Sequence, residues 1–235
     1  MKNKIALVTG AARGIGLACA KLFIEKGLKT IAVDIDEDEL NKVKEAIDSP
    51  LLECCVCDVA NEDAVNALCN EMLERYKAVD ILVNNAGIFR CDRGPFSESK
   101  SEHWRKKIDC NIYGTLFFTR ALIGAMIKQK DGRIVNLSSV TAKYGAKNMA
   151  DYALTKGAIA SFTRSLAKEV GEFNVRVNSV SPGNIEPDDR YPEMSYLNRS
   201  GSYEECARLI VFLCSDEASF ITGEDYVVDG GRKKI

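Results

Sequence analysis

Ile5-Ala6-Leu7-Val8-Thr9-Gly10-Ala11-Ala12-Arg13-Gly14-Ile15-Gly16 decides the fold of this chain. Five apolar-rich residues read as a short buried strand. Beyond the glycines, Ile15, Ala18, Cys19, Leu22 and Phe23 recur at helical spacing until Gly27,. Three glycines therefore join a strand directly to a helix. Glycine tolerates the dihedrals of such a turn and lets backbone approach backbone or ligand closely. A helix N-terminus offers unpaired N–H groups and partial positive charge, which suit a pyrophosphate. The spacing is Gly-x-x-x-Gly-x-Gly rather than the general Gly-x-Gly-x-x-Gly, so the motif needs support from elsewhere in the chain.

Outward from that turn, strand-like and helix-like segments alternate to the end. Further strands are expected at Thr30–Asp34, Leu51–Cys57 (reading on toward Val59), Val79–Val83, Arg133–Leu137, Val175–Val180 and Tyr226–Val228,. Helices are expected around Leu40–Ile47 with a stop at Pro50, after an Asn61 cap, as a pair within Ser101–Gln129, over Asp151–Val170, and over Tyr203–Leu213,. This alternation predicts a single α/β domain over residues 1–235, with a doubly wound, seven-stranded parallel sheet and helices on both faces. Such sheets bind ligands beyond the carboxyl ends of their strands, so the polar residues that follow each strand are the candidates for function.

Asp34 ends the second strand, eighteen residues after Gly16. A carboxylate there can accept hydrogen bonds from an adenosine ribose and repels a 2′-phosphate, which favours NAD over NADP. Arg13 pulls the other way. Tyr152 and Lys156 are four apart and share a helix face, and Ser139 lies thirteen residues before Tyr152, at the mouth of the fifth strand,. An ordinary phenol, with a pKa of about 10, is a poor base at neutral pH. A neighbouring ammonium is expected to lower that value and make Tyr152 a usable general acid/base, with Ser139 holding the substrate oxygen.

Other residues have bland readings. The 235 residues are 46% hydrophobic and 28% charged with a net charge of -2, which gives no electrostatic footprint for nucleic acid or an anionic membrane,. No apolar run approaching a membrane span and no signal-like start is read, so a cytoplasmic protein is expected. The nine cysteines read as reduced thiols, and Cys54, Cys55 and Cys57 as small core residues,. No metal site is expected. The only histidine, His103, lies in the charged run Ser101–Lys107, read as a solvated helix face.

Taken together, the marks in the chain resemble the short-chain dehydrogenases/reductases of the classical type, nearest in pattern to the 3-oxoacyl-carrier-protein reductase-like members. They are Thr9–Gly16, Asn84-Asn85-Ala86-Gly87, Asn111, Ser138-Ser139, Tyr152-Ala153-Leu154-Thr155-Lys156, Ser181-Pro182-Gly183, Phe212-Leu213-Cys214-Ser215-Asp216 and Val228-Asp229-Gly230-Gly231.

The resemblance implies a Rossmann fold and hydride transfer between NAD(H) and a secondary alcohol or ketone. It implies a catalytic set of Asn111, Ser139, Tyr152 and Lys156, with Lys156 also on the nicotinamide ribose and Asn111 in a proton relay. It places Gly10, Arg13, Gly14, Ile15, Gly16 and Asp34 on the dinucleotide. Asp58 and Val59 are expected at the adenine, Asn85, Ala86 and Gly87 along the channel, and Pro182, Gly183 and Ile185 at the nicotinamide, with Ser138 structural. A small-molecule alcohol or ketone is the implied partner, together with a homo-oligomer (tetramer or dimer) in which Phe117, Ala121, Ile159 and Phe162 serve an interface or the core.

The pattern departs from the family in two places. Pro187 stands where relatives carry a cofactor-contacting threonine, and a proline donates no hydrogen bond,. The substrate segment, about 184–202, is shorter than in relatives. This reads either as an open pocket or as a loop closed by a neighbour. Arg90, Arg93, Lys143, Tyr144, Lys147 and Met149 flank the substrate side, as a solvated rim or as attraction for an anionic substrate. The alternative reading of the whole chain is a non-catalytic dinucleotide sensor on the same fold. A third, an isomerase, epimerase or dehydratase with tightly held NAD, has little chain left for its usual substrate region.

Overall fold

In the computed structural model, which describes residues 4–89, 93–185 and 191–233, seven strands form one parallel sheet. They are β1 (Ile5–Thr9), β2 (Lys29–Asp34), β3 (Leu52–Val56), β4 (Ile81–Asn84), β5 (Gly132–Leu137), β6 (Val175–Pro182) and β7 (Asp225–Val228), in the order β3-β2-β1-β4-β5-β6-β7. Leu7 pairs with Ile31 on one side and Leu82 on the other, so the chain reverses its direction of winding at β1 and β4. The loops after those two strands diverge there and leave a crevice at the carboxyl edge.

The helices are α1 (Gly14–Glu25), α2 (Glu37–Ile47), α3 (Glu62–Tyr76), α4 (Ser101–Ile108), α5 (Gly114–Gln129), α6 (Val140–Tyr144), α7 (Ala150–Val170) and α8 (Tyr203–Leu213). Alternation along the strands divides the core. Ala6, Val8, Ala32 and Val83 face α1, α2 and α8 with Phe23, Leu40 and Ile210. Leu7, Ile31, Leu82 and Ile134 face α3, α5 and α7 with Met72, Phe118 and Leu166. Because both faces are covered, the strands read as continuous apolar runs rather than as alternating ones.

The local signals hold where a side chain carries them. Asn61 caps α3 by accepting from the Ala64 N–H, and Ser202 with Glu205 forms a capping box on α8,. Several expectations need correction. Strand β3 stops at Val56, and Cys57, Asp58 and Val59 turn out of the sheet toward the crevice. Helix α2 ends at Asp48 in a left-handed conformation (φ 39°), before Pro50 acts. The expected helix pair is one continuous element in which a π-helical turn, Asp109–Tyr113, links α4 to α5. Within it lies a stretch apolar and long enough, by length and composition, to cross a membrane, contrary to the reading of the sequence. Phe118, Leu122 and Met126 of that stretch are buried in the core beneath the sheet. The charged run before it is not wholly solvated either, because Lys107 is buried. Cys54 and Cys55 are half-buried, while Cys57 is buried.

Candidate active site

A cleft of about 1440 Å³ opens along the carboxyl edge of the sheet. Every residue proposed from the sequence for catalysis or cofactor binding lines it except Gly16 and Asn111, which lie behind its wall. At one end stands the glycine turn, where Gly10 and Gly14 have positive φ (64° and 58°). A Cβ on Gly10 would lie 2.8 Å from the Ala86 Cα, and one on Gly16 only 2.2 Å from the Gly10 carbonyl oxygen. Gly16 therefore works by packing α1 against the turn. Thr9 Oγ1 accepts from the Asn85 and Ala86 N–H groups at 3.0 and 3.1 Å, while Asn85 Nδ2 donates to the carbonyls of Thr9 and Gly10 at 2.9 Å each. These bonds tie the loop after β1 to the loop after β4 across the switch point. No side chain caps α1, so its first N–H groups face the cleft unclaimed by a cap, which fits an anionic pyrophosphate,.

Asp34 is fixed at the end of β2. Its Oδ2 accepts from the Ala12 N–H at 3.0 Å and its Oδ1 from the Asp36 N–H at 3.2 Å. A carboxylate has about four acceptor sites, so two remain for a ligand. Arg13 is 68% exposed and donates to Asp36 at 2.5 Å, which directs its charge to the rim. Asp58 and Val59 line the same end after the early close of β3.

At the other end, β5 delivers Ser138 and Ser139. Ser138 Oγ donates to the Lys156 carbonyl at 3.0 Å, a structural bond that seats α7 on the strand end. Ser139 is the N-cap of α6, its Oγ accepting from the Thr141 N–H at 3.2 Å. This five-residue helix has no sequence signal beyond its cap. Ser139 and the Tyr152 phenol line the same stretch of the cleft, and the serine side chain pulls the phenol pKa down. Lys156, 4% exposed, donates from Nζ to the Leu137 carbonyl at 2.6 Å and sits 5.8 Å from the Tyr152 ring centroid.

The expected acidification of the phenol is not what the chain itself produces. Burial pushes Tyr152 up to about 12, against a smaller downward pull from the Ser139 side chain and the Arg93 charge. Burial also brings the Lys156 ammonium down to about 8. Desolvation is the largest influence at both groups, over Ser139 and Arg93 at the phenol and Cys110 at the ammonium,. At neutral pH the site thus holds a protonated phenol beside a protonated lysine, the state of a proton donor.

Asn111 is buried in the π-helical turn, where Oδ1 accepts from the Ile88 N–H at 2.7 Å and Nδ2 donates to the Ile88 carbonyl and to Thr155 Oγ1 at 3.1 and 3.0 Å. A Cβ on Gly87 would lie 3.3 Å from Asn111 Oδ1 and 3.5 Å from Lys156 Nζ, so glycine leaves room beside both.

Pro182, Gly183 and Ile185 line the cleft after β6. A Cβ on Gly183 would collide with the Asp229 Cβ at 2.5 Å. Among the described residues of 184–202 there is no α-helix. The Tyr196 and Leu197 N–H groups donate to the carbonyls of Gly231 and Gly230, and Tyr191, Met194 and Arg232 reach the cleft. Arg90, Pro187 and the start of the 188–200 stretch lie outside the described residues. Of the expected rim, Arg93 and Met149 line the cleft, whereas Lys143, Tyr144 and Lys147 do not. Reading the sequence missed Phe89 and Tyr203 in the lining and the buried pair Lys107–Asp151. No signal in a run of charges separates Lys107 from its exposed neighbours.

A family model described as enoyl-(acyl carrier protein) reductase matches residues 10–233. The 3-oxoacyl-(acyl-carrier-protein) reductase of Thermotoga maritima is 38% identical over 243 aligned positions, covering 98% of both chains. That of Aquifex aeolicus is 37% identical, again over 98% of both. Trans-4-hydroxycyclohexanecarboxylate dehydrogenase of Sinomonas cyclohexanicum is 34% identical, over 98% of this chain and 93% of its own.

Proposed function

The chain belongs to the short-chain dehydrogenase/reductase family of oxidoreductases, and on that premise we propose that it interconverts a secondary alcohol and its ketone with NAD(H). One observation carries the reading: a buried phenol, with Ser139 beside it and Lys156 behind its ring, shares a cleft with a glycine turn and an uncapped helix N-terminus. A bound nicotinamide supplies and accepts the hydride. Ser139 holds the carbonyl oxygen. Tyr152 gives that oxygen a proton in reduction and takes it back in oxidation. Lys156 steadies the phenolate by its charge and holds the nicotinamide ribose, and Asn111 fixes the turn through which a proton relay leaves the site.

NAD is preferred in this reading because Asp34 presents its carboxylate to the cleft while Arg13 is drawn away to Asp36. A 2′-phosphate would meet the Asp34 carboxylate there, while the Arg13 charge is engaged by Asp36,.

The substrate is a small ketone, free or carried as a thioester, as the names of the two reductases suggest. The named substrate of the Sinomonas relative joins a secondary alcohol to a carboxylate. Residues 194–197 of the short substrate segment, strapped to 230–233, bound its pocket. We place the protein in a cytoplasm, consistent with eight unpaired cysteines among the described residues,. A homo-oligomer is supported by the outer surface of α5 and α7. Tyr113 and Leu154 are exposed, Phe117, Ala121 and Phe162 are half-buried, and Ile159 belongs to the core instead. Nicotinamide absorbance, followed with NADH and NADPH over a panel of ketones, tests the proposal. Turnover favouring NADH supports it, and no turnover with either cofactor contradicts it.

A further inference from the structure

We propose that Lys107 and Asp151 are a positioning pair that fixes the turn of α7 carrying Tyr152, an inference that rests on the activity proposed above. The pair is buried, at 2% and 11% exposure, and Lys107 Nζ lies 2.5 Å from Asp151 Oδ2. The other oxygen, Oδ1, accepts the Tyr152 N–H at 2.7 Å. One turn further on, Asn111 Nδ2 donates to Thr155 Oγ1, which itself donates to the Tyr152 carbonyl at 2.8 Å. Lys107 and Asn111 are four apart on one element, and Asp151 and Thr155 are four apart on α7, so each pair shares a helix face. The two helices are joined by two rungs, and Tyr152 lies between them with both its backbone N–H and its carbonyl engaged.

The start of α7 needs such a support. Its N-cap residue, Met149, makes no side-chain cap bond. Asp151 in the first turn complements the helix dipole, and a carboxylate drawn this far from water is costly without a paired cation,. Lys107 is that partner, reaching in from α4.

The test uses Lys107→Met, with Lys107→Arg as the conservative variant. The expected result is a loss of kcat of about 10- to 100-fold for Lys107→Met, with the cofactor Kd, read by nicotinamide fluorescence, unchanged. Lys107→Arg should recover most of the rate. Should Lys107→Met fold poorly, Lys107→Met/Asp151→Asn removes both charges and is read in the same way. A kcat within twofold of wild type, per folded molecule, overturns the inference and leaves the oxidoreductase reading standing. A wild type without turnover on any ketone overturns both.

A separate observation concerns the substrate, again within the proposed activity. We infer that Arg93 selects ketones bearing a carboxylate near the reacting carbonyl. Arg93 lines the cleft, and its guanidinium carbon lies 5.8 Å from the Phe89 ring centroid, which is itself 6.1 Å from the Tyr152 ring. The Arg93 charge is felt at the Tyr152 phenol, so it is also felt by a substrate that phenol protonates. Phe89, against which the guanidinium lies, is apolar, and Met149 and Met194 line the same cleft. A guanidinium in that place matches a carboxylate through paired, charge-assisted hydrogen bonds.

Acetoacetate and 4-oxocyclohexanecarboxylate, each against its methyl ester, are the probes. For Arg93→Gln, kcat/KM should fall about tenfold for the acids and stay within twofold for the esters. Equal losses on acid and ester, or a wild type that reduces only neutral ketones, overturn the inference without touching the activity. A wild type that reduces no ketone removes both.

Discussion

The two ends of the cleft are built on different principles. The end proposed for the dinucleotide is backbone: glycines at positive φ, amides stitched across the β1–β4 switch, and a helix start without a side-chain cap. The end proposed for proton transfer is side chain: a phenol and an ammonium, both displaced from their ordinary pKa values by burial. Shape governs the first and desolvation the second. Substitutions should therefore fail in different ways, by collision or lost binding at one end and by lost chemistry with retained binding at the other.

Lys156→Met gives the largest effect we expect away from Tyr152 itself. It removes the charge beside the phenol and the bond to the Leu137 carbonyl. Reductive kcat/KM should fall by about 10³-fold, while far-UV circular dichroism stays unchanged. Gly16→Ala should break the other end. Its Cβ meets the Gly10 carbonyl at 2.2 Å, a backbone contact that cannot yield cheaply. Overpacking of this kind costs about 1–3 kcal/mol. Calorimetry should show Tm lowered by about 5 °C and, unlike Lys156→Met, cofactor affinity weakened in parallel.

The pH dependence sharpens the contrast. Because Lys156 sits at about 8 and Tyr152 at about 12, the ammonium is the first of the two to lose its proton. Reduction should be level below pH 8 and fall as pH rises through it, as the charge beside the phenol is lost. Lys156→Arg should move the fall upward, since guanidinium keeps its proton. The burial of Lys156 also affects stability. Its folded pKa lies below its unfolded value, so the unfolded chain binds more protons between the two. That cost to stability is complete below about pH 8 and eases as pH rises from there toward 10.5,. Asp34→Ala has the smallest expected effect. The ratio of kcat/KM for NADH over NADPH should drop by about tenfold, as one charged hydrogen-bonding group is lost. An unchanged ratio counts against the NAD assignment.

How much was legible in the sequence follows the same division. The strand–glycine–helix start, the succession of strands and helices along the chain and the cap at Asn61 are encoded locally, by period and by residue type, and the structure places them as read. Asp34, Ser139, Tyr152 and Lys156 reach one cleft because each stands at a strand end or on one helix face. Features set by tertiary burial were not legible. The run Ser101–Lys107 looks uniformly solvated, yet one of its lysines is in the interior because Asp151, forty-four residues away, is there to meet it. Strand β3 stops short of the apolar Cys57 and Val59 because those side chains pack at the crevice and against Gly114. The phenol was expected to be acidified by its neighbour, but the depth at which α7 seats it reverses the sign.

Tyr152→Phe tests the central claim most directly, by stopped-flow absorbance of the nicotinamide with a ketone the wild type reduces. The phenyl ring keeps the packing against Phe89 and Lys156 and removes only the hydroxyl. The account predicts hydride transfer slowed by 10²- to 10⁴-fold, the range of a lost general acid, with cofactor binding intact. Transfer at the wild-type rate would show that the proton comes from elsewhere, and the assignment of this end of the cleft would be wrong.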